Sequence, residues 1–179
     1  MSTETTAGLA PVSTETTQIH RIYIKASAQA IWDAITTPEW SARYGYGGHV
    51  HYDLKPGGAF TVNPDANMLE GAKQMGFELP EVILDGEVLE CDPPRRLVQT
   101  WRMIMDPESM AEGFTRLTYE ITELEGACRL TLTHELEGAP HLALLVGGAY
   151  EDGQGGGGFP WVLSDLKSLL ETGEGLGAW

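Results

Sequence analysis

The sequence predicts an α+β protein in which one antiparallel sheet of six to seven strands packs against a helix near the C-terminus. Several short segments alternate apolar and polar side chains and are separated by turn residues, which is typical of hairpin-linked strands. An apolar stripe at helical spacing follows Pro160. The chain has 179 residues, enough for one domain with a sizeable core.

The clearest hairpin spans residues 84–103. Val88 alternates with polar neighbours, and the same period returns over residues 97–101. Pro93 and Pro94 lie between the two runs, and because proline donates no backbone hydrogen bond, they belong to the connection. A hairpin cannot bury its apolar face alone, so we expect further strands and a layer that covers them.

The N-terminal segment differs in composition from the rest of the chain. Residues 1–17 contain Thr, Ser, Glu and Ala with hardly a large apolar side chain, so burial cannot offset the entropy lost on ordering. We predict a disordered tail there, one domain over residues 18–172, and a flexible tail over residues 173–179. The first strand is expected over residues 19–25, where Ile22 and Ile24 alternate with polar residues.

Two short helices are expected after the first strand. Ser27 can cap a helix that runs to about Thr36, and Thr37 followed by Pro38 is a second start signal, for a short helix that ends at Gly45. The period of two then returns over residues 49–62, with a turn at Pro-Gly-Gly.

The last predicted strands lie around residues 117–121 and 130–134, on either side of a Glu-Gly turn. The final helix is expected to begin near Pro160 and to end at Gly173. Its roughly 20 Å length, at about 1.5 Å per residue, is close to that of a six-residue strand. It could therefore lie across the concave face of a twisted sheet.

Charge and cysteine content exclude several classes of partner. Eleven Lys and Arg stand against 26 Asp and Glu, a net charge of −15 that repels nucleic acid and anionic membrane surfaces. No apolar run approaches the ~18 residues of a membrane span, and the start of the chain lacks the pattern of a secretory signal. Cys91 and Cys128 lie outside any metal or redox spacing. We expect a cytoplasmic protein with neither nucleic acid nor membrane as partner.

Four segments carry a family resemblance: DLKPGGAF at 53–60, GEVLECDPPRRLVQTW at 86–101, RLTLTHE at 129–135 and GFPWVLSDL at 158–166. Over about residues 19–171 the chain resembles the START-like (SRPBCC) superfamily, and within it the bacterial family named after the activator of the heat-shock-protein-90 ATPase. The resemblance implies a helix-grip fold, a curved antiparallel sheet around the C-terminal helix with a cavity between them. It implies less about activity, because the superfamily holds carriers, cyclases, hydrolases and co-chaperones.

The cavity implied by this resemblance is the candidate site. We predict that the protein binds or carries a small hydrophobic molecule there without turning it over. Tyr52 and His134 are expected to orient the ligand in an otherwise apolar pocket. The predicted ligand-binding residues are Tyr52, Val88, Trp101, Met103, Tyr119, Leu132, His134, Phe159, Leu163 and Leu166. A closed core in which these side chains only pack remains the alternative.

Two other functions stay open. An enzyme of the cyclase or hydrolase type could use His134 for proton transfer in the same cavity. A chaperone-interacting module would instead need an exposed apolar patch. The eukaryotic activators carry an additional N-terminal domain, where this chain has a short polar tail, which counts against chaperone activation. A homodimer is one alternative for the oligomeric state.

No catalytic residue, metal ligand or cofactor is predicted. His49, His51 and Asp53 share a strand face, but the apolar residues between them claim the buried face and leave the two histidines toward solvent. The glycine run at 153–158 lacks the Lys-Ser/Thr ending of a phosphate-binding loop. Five methionines cluster in two long connections and form either core filling or a pliable rim of the cavity.

Overall fold

The computed structural model describes residues 16–152 and 156–177. Its strands are β1 (Thr17–Ile24), β2 (His49–Tyr52), β3 (Ala59–Asn63), β4 (Leu84–Asp92), β5 (Arg96–Met103), β6 (Thr115–Leu124) and β7 (Ala127–Glu135). Its helices are α1 (Ala28–Thr36), α2 (Pro38–Ser41), α3 (Ala66–Gln74), α4 (Pro107–Glu112), α5 (Pro140–Val146) and α6 (Gly158–Thr172). Most of the predicted N-terminal tail, part of the glycine run and residues 178 and 179 lie outside the described residues.

The seven strands form one sheet with the order β1-β7-β6-β5-β4-β3-β2. Every neighbouring pair is antiparallel, which confirms the predicted α+β class and strand number. The register places Leu130 opposite Ile22 on one side and opposite Ile121 on the other. Directly opposed residues share a face, so these three side chains point into the hollow of the sheet.

The two predicted helices after β1 are present. The Ser27 side chain accepts a hydrogen bond from the N–H of Ala30 at 3.1 Å and caps α1 as expected. However, α2 ends at Ser41, four residues before the predicted end at Gly45. The Ser41 hydroxyl donates to the Gly48 carbonyl at 2.8 Å and accepts from the Val50 N–H at 3.0 Å, so it joins the end of α2 to the start of β2.

Three further helices were not predicted from the sequence. α3, α4 and α5 are short segments within connections, where the apolar stripe is too brief to be distinguished from a loop. Their start signals are nevertheless present: Asp65 and Asp106 cap α3 and α4, and Pro107 and Pro140 occupy the first positions of α4 and α5. None of the helices in the described ranges has the length and apolar character needed to cross a membrane.

The final helix lies in the hollow of the sheet. α6 begins at Gly158, two residues before the predicted start. Pro160 is tolerated within the first turn because N–H groups there have no acceptor inside the helix, so proline costs no hydrogen bond. Leu163 and Leu166 are buried in one hydrophobic core together with Leu130 and Leu132 of β7. The predicted packing of the C-terminal helix on the sheet is therefore confirmed.

A buried carboxylate ties α6 to two other segments. Asp165 is 4% exposed; its Oδ2 accepts from the N–H of Gly45 at 2.8 Å and its Oδ1 from the N–H of Leu176 at 2.7 Å. The chain reverses at Gly173, whose φ of +83° is a left-handed conformation that favours glycine. The described part of the predicted C-terminal tail, up to Leu176, is thus hydrogen-bonded back onto α6.

We expect Asp165→Asn to lower the free energy of unfolding by about 1–3 kcal/mol, because an amide has one acceptor oxygen and leaves one of the two N–H groups without its partner. Urea denaturation measures this loss. Glu174→Gln is the matched control, since it also removes one carboxylate, from an exposed residue of the same turn. Equal stability of the two variants would show that Asp165 does not hold these segments.

Candidate functional site

The structure brings the ten residues predicted from the sequence to one interior between sheet and α6. Five of them belong to the buried core: Val88, Trp101, Leu132, Leu163 and Leu166. Four pack against it and are partly buried: Tyr52, Met103, Tyr119 and Phe159. The tenth, His134, is fully buried.

The middle of this interior is filled with side chains. Val88, Leu132, Leu163 and Leu166 are each at most 3% exposed and pack in a single cluster. Branched apolar side chains of this size interdigitate at the density of an organic crystal. These four residues therefore close the cavity expected along α6, so a ligand could enter only at the ends of the hollow.

At the end of the hollow that contains Tyr52 of β2, the polar groups have hydrogen-bond partners within the protein. The Tyr52 hydroxyl donates to Oε1 of Gln99 at 2.6 Å, and Gln99 is fully buried. The Tyr44 hydroxyl donates to the Ala34 carbonyl at 3.0 Å. Burial raises the pKa of Tyr52, and neighbouring Tyr119 and Tyr44 raise the pKa further, so all three phenols are neutral. Tyr52 was expected to orient a ligand, but its hydroxyl is already hydrogen-bonded to Gln99. The sequence analysis did not identify Gln99 as a residue of this interior.

At the other end, five residues form what we call the histidine end of the hollow: His20, Trp101, Thr115, His134 and Phe159. The ring of His134 stands edge-on to those of Trp101 and Phe159, with centroids 5.3 and 5.7 Å away. The ring of His20 lies 6.3 Å from that of Phe159. Nε2 of His134 lies 2.7 Å from the hydroxyl oxygen of Thr115. The histidine end therefore combines aromatic faces with two imidazoles.

Three polar atoms near this end are buried without a hydrogen-bond partner in the described residues. They are Nδ1 of His134, Nε2 of His20 and Oε1 of Gln18. Buried polar atoms in folded proteins are nearly always paired, so three orphans in one region call for an explanation. Burial, together with a smaller effect of nearby His20, lowers the pKa of His134 to about 3, so the imidazole is neutral at physiological pH.

A surface pocket of about 450 Å³ lies beside the histidine end. It is lined by Thr17, Gln18, Ile19, His20 and Gly147. Gln18 is directly opposite His134 in the β1–β7 register, so the pocket adjoins the buried orphans from the edge strand of the sheet. It therefore offers a route from solvent toward the histidine end.

Helix α5 borders this pocket and is held by hydrogen bonds at its start and in its middle. Both oxygens of the Glu112 carboxylate accept from backbone N–H groups at the start of α5, those of His141 and Leu142, at 2.8 and 2.9 Å. His141 Nε2 also lies 2.9 Å from Asp106. In the middle of α5, Nε2 of Gln18 donates to the Ala143 carbonyl at 2.8 Å. These contacts fix the helix that forms one wall of the pocket.

A second pocket of about 320 Å³ lies at α3 and the chain that follows it. It is lined by Leu69, Lys73, Phe77, Glu78 and Leu79. Leu69, Met75 and Phe77 are 47, 69 and 48% exposed, whereas Met68 packs on the core. The predicted methionine clusters thus divide between core filling and an exposed apolar surface.

The alternative metal site has no support in the geometry. His51 is exposed and His49 half-buried on β2. Within residues 16–152 and 156–177, no three His, Cys, Asp or Glu side chains are grouped so that they could hold a metal ion.

The sequence profile of one protein family, described as Activator of Hsp90 ATPase homolog 1-like protein, matches residues 25–171. The chain belongs to this family. The match covers every element from α1 to α5 and nearly all of α6, and so includes the whole interior except the side chains of β1. The resemblance to the family named after the activator of the heat-shock-protein-90 ATPase is thereby confirmed.

Solved structures share the fold of this chain. A protein from Bordetella parapertussis, studied by NMR in solution, is 20% identical over 96% of this chain and 82% of its own, with a TM-score of 0.64. A crystal structure from Mesorhizobium loti is 21% identical over 86% of this chain and 96% of its own, at 0.60. The Aha1 dimer from Colwellia psychrerythraea is 19% identical over 89% of this chain and 98% of its own, at 0.58. Among curated proteins none matches.

Proposed function

We propose that this protein binds a small, largely apolar molecule at the histidine end of the hollow. One observation carries the proposal: Nδ1 of fully buried His134 has no hydrogen-bond partner among residues 16–152 and 156–177, although it lies among aromatic rings. An unpaired polar atom in an apolar surround is costly, and a ligand that pairs with it removes that cost. Small-molecule sites have this composition, with mostly apolar walls and a few placed polar groups.

The adjoining pocket has the size that such a ligand needs. Its volume of about 450 Å³ falls within the range of roughly 300–1,000 Å³ of ligand sites. Phe159 lies in the first turn of α6, is only partly buried, and has its ring against those of His134, Trp101 and His20. A ligand that enters from the pocket would pack against Phe159 or displace its ring.

The pKa of the His134 imidazole favours binding without turnover over acid–base catalysis. A general base works best when its pKa lies near the working pH. Burial lowers the pKa of His134 to about 3, so at neutral pH it accepts a proton poorly. The cyclase or hydrolase alternative therefore has less support than a carrier or receptor.

Fluorescence of the neutral, apolar probe N-phenyl-1-naphthylamine tests the proposal. We expect saturable binding that Gly147→Leu weakens by about tenfold or more. The added Cβ would lie 2.9 Å from the Ala143 carbonyl oxygen and 3.0 Å from Nε2 of Gln18, so the larger side chain crowds the pocket wall. Gly71→Leu on α3 is the matched control, since its Cβ meets nothing within 4 Å.

Circular dichroism verifies that both glycine variants are folded. The proposal fails if the wild-type protein does not bind the probe, or if the two variants bind it with equal affinity.

A second candidate function is a protein interface at α3. The exposed apolar surface of Leu69, Met75 and Phe77 supports it, and the family description names an activator of the Hsp90 ATPase. If this surface docks on such a chaperone, the wild-type chain should stimulate its ATPase, and Phe77→Ser should reduce the stimulation more than Leu124→Ser does. Leu124 is the matched control because it is similarly exposed, at the end of β6.

A further inference from the structure

We infer that the ligand presents a hydrogen-bond donor, a hydroxyl or an N–H group, to Nδ1 of His134. This inference rests on the proposed function, because it assigns the ligand class of the same site. It follows from a hydrogen-bond chain that determines which ring nitrogen of His134 carries the proton.

The chain starts at Thr115. Its hydroxyl lies 3.0 Å from the Trp101 carbonyl oxygen, which can only accept, so the single hydroxyl proton is donated there. The same hydroxyl oxygen lies 2.7 Å from Nε2 of His134 and must accept from it. Nε2 therefore carries the ring proton of the neutral imidazole, and Nδ1 presents a bare lone pair.

Gln18 adds a second acceptor. Its Nε2 donates to the Ala143 carbonyl at 2.8 Å, and this bond determines the orientation of the amide. The remaining atom, Oε1, is a buried acceptor without a partner in the described residues. Gln18 and His134 are directly opposed in the β1–β7 register, so both acceptors lie on the concave face of neighbouring strands.

This arrangement selects among ligands by their polar group. A carboxylate or a carbonyl would bring further lone pairs against two acceptors, whereas a hydroxyl or an N–H would donate its proton to one of them. The net charge of −15 also disfavours anionic ligands. The ligand class is therefore a neutral, ring-containing alcohol, phenol or amine, with its apolar body against Trp101 and Phe159.

Isothermal titration calorimetry with three naphthalene derivatives tests the inference. 2-Naphthol carries a donor, 2-methoxynaphthalene has the same ring and oxygen without a donor, and 2-naphthoate is an anion. We expect 2-naphthol to bind about tenfold or more tightly than 2-methoxynaphthalene, and 2-naphthoate to bind most weakly.

Two substitutions of His134 form a matched pair. The amide of His134→Gln can reach the position of Nε2 and donate to Thr115, but it leaves no acceptor at the position of Nδ1. The shorter amide of His134→Asn places its oxygen near the position of Nδ1 and loses the bond to Thr115. We expect the preference for 2-naphthol to disappear in His134→Gln and to remain in His134→Asn.

The outcomes separate this inference from the proposed function. Equal affinities of wild-type protein for 2-naphthol and 2-methoxynaphthalene, or a preference that persists in His134→Gln, would overturn the donor assignment and leave small-molecule binding standing. Absence of binding for all three compounds and for N-phenyl-1-naphthylamine would overturn both. Thermal unfolding followed by circular dichroism establishes that each variant compared is folded.

Discussion

Leu166→Ala is expected to lower the free energy of unfolding by about 2–5 kcal/mol, the range for a leucine truncated in a closed core. Leu166 is 1% exposed and packs from α6 into the cluster that holds β7 residues Leu130 and Leu132. The loss has two parts, the transfer free energy of the removed methyl and methylene groups and the cavity that they leave. Urea denaturation followed by circular dichroism measures it.

Ser164→Ala on the same helix is the matched control. Ser164 is exposed, and its hydroxyl donates only to the Pro160 carbonyl one turn earlier, so its replacement should change stability by no more than about 0.5 kcal/mol. If Leu166→Ala cost as little as Ser164→Ala, the middle of the hollow would not be packed as described, and an open cavity along α6 would have to be considered again.

Acidification from about pH 6.5 to about pH 4 is expected to destabilise the wild-type protein more than His134→Gln. Burial holds the pKa of His134 at about 3 in the folded state, below its ordinary value of 6.5. Between these values the unfolded chain binds a proton that the folded protein does not. The contribution of His134 to stability is therefore complete above pH 6.5 and declines as the pH falls, by up to about 1.4 kcal/mol per pH unit.

Urea denaturation at a series of pH values measures this difference. His20, whose pKa burial also lowers, is present in both proteins, so its effect largely cancels when the two curves are subtracted. Parallel curves for wild-type protein and His134→Gln would mean that His134 is accessible to protons in the folded state, which contradicts its burial and weakens the case for a neutral acceptor.

Local patterns predicted the architecture because they are properties of neighbouring residues. The alternation around Val88, interrupted by Pro93 and Pro94, predicted the hairpin of β4 and β5. Ser27 predicted the start of α1 through its side-chain cap. The short helices α3, α4 and α5 were not predicted because helices of so few turns depend on tertiary contacts for stability. One such contact is the Glu112 carboxylate, which accepts hydrogen bonds at the start of α5. A local sequence pattern contains no information about it.

The candidate site was predicted only in part. His134 stood out because it continues an apolar strand pattern, and Trp101 and Phe159 were assigned to the same interior. Gln18 and Thr115 carried no such signal, since a glutamine near the N-terminus and a threonine on a strand are ordinary surface residues until their partners are known.

The strands, the amphipathic final helix and the family could be read from the chain alone, since all three depend on side chains that are close along it. The closed middle of the hollow, and an acceptor on His134 that has no partner in the described part of the chain, emerge only from the folded arrangement. The reason is the register of β1, β7 and β6, which places Gln18 and Leu117 on either side of His134 although they lie far from it in sequence. A hydrogen-bond chain across strands depends on that register and cannot be inferred from any single segment.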